Sequence, residues 1–91
     1  MSRMGVWQLK QLTLAFSKNG GSSRGVRDFV QTQLSKFNQT NPQIRVEVKD
    51  ELSMTEHPYV KAFYEFGNSQ QLSLRNKNSS EVLKDFVTLR N

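Results

Sequence analysis

The 91-residue chain contains no cysteine and one histidine, His57. That composition excludes a disulfide framework, dithiol redox chemistry, and thiolate or multi-histidine metal sites. The net charge is +5, and no apolar run approaches the ~20 residues that cross a bilayer as a helix.

A chain this short reads as one domain, residues 1–91, burying about 60–65% of its unfolded surface. Its charge is unevenly placed. Arg3, Lys10, Lys18, Arg24 and Arg27 precede the first acid, Asp28; beyond that point eight basic and eight acidic residues cancel. A one-sided field of this kind faces an anion such as nucleic acid, phosphate or an anionic membrane, or is a solvated basic N-terminus. The basic, acid-free start has the composition of a mitochondrial presequence. However, Leu12, Leu14 and Phe16 alternate with Thr13 and Ala15, a strand period, and cleavage there would remove a core strand. The segment is therefore expected to be retained. Internal Lys49-Asp50-Glu51-Leu52 cannot act as a C-terminal retention signal.

In chain order, residues 8–17 are predicted as a first strand. Residues 18–22 form a Gly-rich turn. A helix follows, capped by Ser22 or Ser23, with Val26, Phe29, Val30, Leu34 and Phe37 in one apolar stripe about 25 Å long. Residues 38–42 end it, because Pro42 cannot continue the ladder and turns Asn41 away from helical geometry. Ile44, Val46 and Val48 alternate with charged residues as a second strand. Residues 50–58 read as irregular and 59–66 as an aromatic third strand. Gly67-Asn68 makes a hairpin turn into a fourth strand around Leu72 and Leu74. Asn78 and Glu81 resemble a capping box opening a last amphipathic helix with Val82, Leu83, Phe86 and Val87.

The order β-α-β-β-β-α predicts an α/β fold. Its first unit is a right-handed parallel crossover and its later strands an antiparallel hairpin, giving a four-stranded mixed sheet with flanking helices. The arrangement is similar to a minimal thioredoxin-like fold. In that fold a reactive loop lies between the first strand and helix, facing a cis-proline before the hairpin. Here the loop is Gly20 to Ser23 and the proline is Pro58, so the likeness predicts a cis His57-Pro58 bond, although X-Pro bonds are trans by default.

Chemistry at that loop is constrained by its residues. Serine cannot perform thiol–disulfide exchange. A hydrolytic set of Ser22 or Ser23 with His57 and Asp50 or Glu56 lacks a nucleophile-elbow pattern. Gly-Gly-Ser-Ser without a Lys-Ser/Thr ending is not a nucleotide cradle. Glycines, serine hydroxyls and arginines at a helix start do suit a phosphate backbone, or form an ordinary capped turn. On the third strand, Tyr59, Lys61, Phe63 and Glu65 share one face and Ala62, Tyr64 and Phe66 the other. One face must be core, and the other is open to sheet packing, a protein partner or base stacking.

GVWQLKQLTL, NGGSSRGVRDF, NPQIRVEV and HPYVKAFY, in that order, resemble a family. It is the thioredoxin-like domain shared by two mitochondrial ribosomal proteins and an accessory subunit of respiratory complex I. The likeness implies a non-enzymatic, cofactor-free constituent of the mitochondrial large ribosomal subunit in the matrix. Its implied partners are ribosomal RNA and neighbouring ribosomal proteins, with no small-molecule substrate and no membrane insertion. Lys10, Lys18, Gly20, Gly21, Ser22, Ser23, Arg24 and Arg27 are the expected RNA-binding residues, a placement inferred from charge and loop chemistry. Ribosomal members usually continue into a basic C-terminal extension, whereas this sequence ends at Asn91. That length, YEFG and GVRDF resemble the complex I (NADH:ubiquinone oxidoreductase) branch; GGSSRG and HPY favour the ribosomal branch.

Overall fold

A computed structural model describes residues 8–90, apart from the side chain of Phe66. Arg3, the GVW of the first matched stretch and Asn91 lie outside the described residues. β1 (Leu9–Ser17) is followed by a 3-10 turn (Gly21–Ser23), α1 (Arg24–Thr32) and α2 (Leu34–Thr40). Then come β2 (Arg45–Leu52), β3 (Tyr59–Tyr64), a 3-10 turn (Glu65–Gly67), β4 (Ser69–Ser73) and α3 (Ser79–Arg90). The sheet order is β2-β1-β3-β4. β1 runs parallel to β2 and antiparallel to β3, and β3 and β4 form the hairpin. This is the expected mixed sheet of a minimal thioredoxin-like fold.

Register places Leu12 and Leu14 beside Val46 and Val48 on one flank and beside Ala62 and Val60 on the other. That face of the sheet carries the core. Val26, Phe29, Leu34, Phe37, Val82, Phe86 and Leu89 from all three helices close over it. Phe86 lies at the centre, with its ring 4.8 Å from Phe29 and 5.3 Å, edge-on, from Phe37. The opposite face presents Arg45, Glu47, Lys49, Tyr59, Lys61 and Phe63, and no described helix covers it. The expected division of β3 therefore holds: Ala62 and Tyr64 turn to the core, Tyr59, Lys61 and Phe63 away from it.

Strict alternation along β1 would put Lys10 into the core beside Leu12. The register slips between Leu9 and Gln11, which pair with the consecutive residues Tyr64 and Phe63. The extra residue is Lys10, which stays exposed while Leu9 turns into the core. A bulge of this kind resets the side-chain period without breaking the sheet.

Several expectations are corrected. The helix is preceded by a 3-10 turn, and Ser23 holds its N-cap position as expected but makes no side-chain cap bond. The stripe is interrupted at Gln33 (φ −119°). Thr32 Oγ1 donates to Asp28 O at 2.8 Å, a back-bond that bends helices. Bonds Gln33 N–Phe29 O and Phe37 N–Gln33 O persist across the break, so the stripe keeps its phase. β2 continues to Leu52 through residues expected to be irregular, because an edge strand can pair along β1 without being apolar on both faces. β3 ends at Tyr64, since Glu65 to Gly67 coil into a turn with Gly67 at φ +78°. The His57-Pro58 bond is trans. The trans amide is the lower-energy default, and in it Pro58 O accepts the Leu74 N–H at 2.9 Å, extending the hairpin.

Two polar ties fix the helix ends. Asn41, buried, donates from Nδ2 to Phe37 O at 3.0 Å and accepts Arg90 Nη1 at 3.0 Å, joining the ends of α2 and α3. Tyr64 Oη donates to Leu89 O at 2.7 Å. The Asn78–Glu81 box forms as expected: Asn78 N–H to Glu81 Oε1 at 3.0 Å and Glu81 N–H to Asn78 Oδ1 at 2.9 Å.

Truncating the central ring tests this core. Phe86→Ala is expected to cost about 3–5 kcal/mol, against a typical total of ~5–15 kcal/mol. Urea unfolding followed by circular dichroism measures the difference.

Candidate nucleic-acid interface

β1 delivers the chain at its C-terminal end into the loop 18–23, which turns directly into α1. Ser17, fully buried, organises that turn. Its Oγ accepts the N–H groups of Asn19 (3.2 Å) and Gly20 (2.9 Å). Its N–H donates to Ser23 Oγ at 3.1 Å, and its carbonyl accepts Arg27 Nη1 at 2.9 Å. The same Arg27 nitrogen reaches Gly20 O at 2.7 Å. Side-chain hydrogen bonds thus stand in for the ladder that ends at Ser17. Gly20 sits where a Cβ would lie 3.1 Å from Met54 O and 3.2 Å from Ser17 Oγ, so this loop and the one after β2 approach closely.

These bonds divide the expected RNA-binding residues. Gly20 and Ser23 are buried, and Arg27 is half-buried with its guanidinium turned onto the loop's own carbonyls. Ser22 is half-buried. Its Oγ lies 2.9 Å from His57 Nδ1 and its carbonyl accepts the Asn76 N–H at 3.1 Å. Gly21, Arg24 and Lys18 are exposed. Lys18 lies 3.7 Å from Asp50, while the Arg24 guanidinium has no partner among the described residues. Lys10 is not brought to the loop. Eight residue steps along the strand separate it from Lys18, a distance of about 26 Å, and it lies 3.7 Å from Glu65.

Beside Gly21 and Arg24 opens a groove of about 540 Å³, lined on one side by Gly21, Arg24, Gly25 and Asp28 and on the other by Asn76 to Ser79. The first residues of α1 and α3 both border it, so two positive helix-dipole ends meet at one opening. Gly25 permits that meeting. A Cβ there would lie 1.7 Å from Lys77 O and 2.7 Å from Asn78 Cα, so α1 packs backbone-on-backbone against the β4–α3 connection. Lys77 Nζ is held by Asp85 at 2.6 Å, leaving Arg24 as the cation of the groove without a partner among the described residues.

The wall from Asn76 to Ser79 escaped the sequence reading because it lies some fifty residues from the loop. Its signals were present. The capping box marks Asn78 as a helix start, and a glycine in the first turn of a helix, where it costs ~1 kcal/mol relative to alanine, signals a close approach.

Ser22 and His57 do meet, as a hydrolytic reading requires, but the remaining parts of such a site are not assembled. Glu56 accepts the Ser53 N–H at 2.9 Å and Asp50 faces Lys18, so among the described residues no carboxylate orients the imidazole. Among the described residues no three His, Cys, Asp or Glu side chains gather as a metal site.

A family model described as the mitochondrial ribosomal protein L51 / S25 / CI-B8 domain matches residues 26–79. The large ribosomal subunit protein mL43 of Neurospora crassa is 35% identical over 85 residues, covering 93% of this chain and 60% of its own length. That of Eremothecium gossypii is 36% identical over 78 residues, covering 85% of this chain and 53% of its own length. The chain thus spans little more than half the length of these relatives.

Three substitutions test the loop architecture. Ser23→Ala removes the acceptor of a buried backbone N–H and is expected to cost about 1–3 kcal/mol. Gly25→Ala forces α1 away from Lys77 and is expected to cost at least as much, about 1–3 kcal/mol or more. Gly21→Ala, with no atom within 4 Å of the new Cβ, should leave stability nearly unchanged. Parallel urea titrations of the three variants provide the comparison.

Proposed function

The chain belongs to the mitochondrial ribosomal protein L51 / S25 / CI-B8 domain family, and on that premise we propose that it is a non-catalytic structural constituent of the mitochondrial large ribosomal subunit. Its partners are the subunit's ribosomal RNA and neighbouring ribosomal proteins, and its compartment is the matrix. Both relatives carry the name of a large ribosomal subunit protein, and the physical support is the groove at Arg24. An unpaired guanidinium beside two helix N-termini, with exposed Gly21 offering close backbone approach, suits a phosphate held at a fixed position.

In this reading the eight residues divide by role. Arg24, Gly21 and Lys18 meet the polyanion. Gly20, Ser22, Ser23 and Arg27 hold the loop that presents them. Lys10, at the far end of β1, serves a separate contact. The family's description also names CI-B8, and the sequence carries the complex I-like YEFG stretch. Assembly as an accessory subunit of respiratory complex I is therefore the competing reading.

Arg24→Gln removes one exposed charge without touching the loop's hydrogen bonds. It is expected to lower co-sedimentation with the large subunit and to reduce the slope of log affinity against log salt by about 1, the signature of one lost phosphate contact. Crosslinks to ribosomal RNA should fall at Lys18 to Arg24. Native fractionation of mitochondria decides between the assemblies. Migration with complex I, without RNA crosslinks, would reject the ribosomal reading.

A further inference from the structure

Among the described residues β2 is an edge of the sheet. Every second residue turns its N–H and C=O away from β1, as an open template for another strand. On the face without helices, β2 presents Arg45, Glu47, Lys49 and Glu51, so the signs alternate along the edge. On the helix face it presents Val46 and Val48. Val48 is 41% exposed, one of two large hydrophobic residues exposed among those described, although its register partner Leu14 is fully buried.

We propose that this edge pairs with β2 of a second copy of the chain, antiparallel, about a two-fold axis through Val48. Reversing a strand whose charges run plus, minus, plus, minus places each charge opposite its complement. Arg45 faces Glu51 of the other copy, and Glu47 faces Lys49. Val48 meets its own counterpart and is covered. Both helix layers lie on the same side of a continuous eight-stranded sheet, and the interface is self-complementary, as two-fold symmetry requires.

The charges also select this register. A slide of one pair in either direction sets Glu47 against Glu47 and Arg45 against Lys49, or Lys49 against Lys49 and Glu47 against Glu51. Like charges directly opposite destabilise a strand pair. A half-step shift puts Val48 against a charged residue and places the two helix layers on opposite faces. Val46 meets Asp50, which keeps Lys18 as its partner at 3.7 Å. The irregular step of β2 at Glu51 and Leu52 against Ser17 lies at the end of the pairing, away from the axis.

Charged edge residues also serve to repel strand addition; alternating signs do the reverse for an antiparallel copy. The inference stands apart from the proposed function, because it uses the sheet edge and not the loop or groove. It concerns the chain on its own.

Sedimentation equilibrium of the 91-residue chain across micromolar to submillimolar concentrations tests it. The wild type is expected to show a monomer–dimer equilibrium, with β2 amide exchange slowing as concentration rises. Glu47→Lys and Lys49→Glu each create two like-charge pairs per dimer, one on each side of the axis, and should weaken association about tenfold or more. The double variant restores both pairs with signs exchanged and should recover the dimer. Val48→Asp, at an exposed position, should abolish association while leaving the circular dichroism spectrum unchanged. A wild type that is monomeric throughout overturns the proposal. So does a double variant no more dimeric than the singles, or an association constant indifferent to Val48→Asp.

Discussion

β1 is hydrogen-bonded along both edges, to parallel β2 and antiparallel β3, and is buried on both faces from Leu12 to Ser17. Both requirements act on the same few residues. The helix side needs bulk, supplied by Leu12, Leu14 and Phe16. The other side has no helix above it among the described residues, so burial there depends on small residues between taller neighbours. Thr13 lies between Glu47 and Lys61, and Ala15 between Lys49 and Tyr59. Long amphipathic side chains can cover such positions with their stems while their polar ends remain in water. The bulge at Lys10 follows from the same constraint. It lets a lysine stand in sequence where the core period would otherwise demand an apolar side chain.

Because β1 ends at a buried serine, the departing chain needs polar partners that the sheet no longer provides. Ser17, Ser23 and Arg27 supply them. The cost of leaving buried backbone groups unpaired explains why two residues that look like anion ligands are turned inward. What remains outward is Lys18, Gly21 and Arg24, and they are outward because the inner residues hold the loop. The residues that hold the crossover and the residues left exposed on it are therefore different members of one short segment.

The position between the first strand and helix is where a thioredoxin-like protein keeps its reactive thiol. In this chain the facing geometry persists, since Ser22 touches His57 beside Pro58. The chemistry does not: no thiol is present, no carboxylate orients the imidazole, and the proline bond is trans. The opening instead lies one step further along, where Gly25 lets α1 meet the start of α3. Two helix starts brought together by a missing Cβ border that groove with backbone, and backbone dipoles, unlike titrating side chains, do not change with pH.

Much of the architecture was legible in the sequence because it rests on local periodicities. Alternation marked β1, β2 and β3, the helical stripe survived the bend at Gln33, and the Asn78–Glu81 box formed as read. The matched stretches, in order, indicated the family. What the sequence left undecided depends on residues distant along the chain. The inward turn of Arg27 and Ser23 follows from where Ser17 ends, and the Asn76 to Ser79 wall from the packing of α3 across α1. The exposure of Val48 follows from the position of β2 at the sheet edge. By itself the sequence determined which segments fold as strands and helices, since side-chain spacing along one segment sets which face is apolar. Only the tertiary structure decided which polar residues are occupied within the molecule and which remain free, because a hydrogen bond or a close backbone contact needs its partner in place.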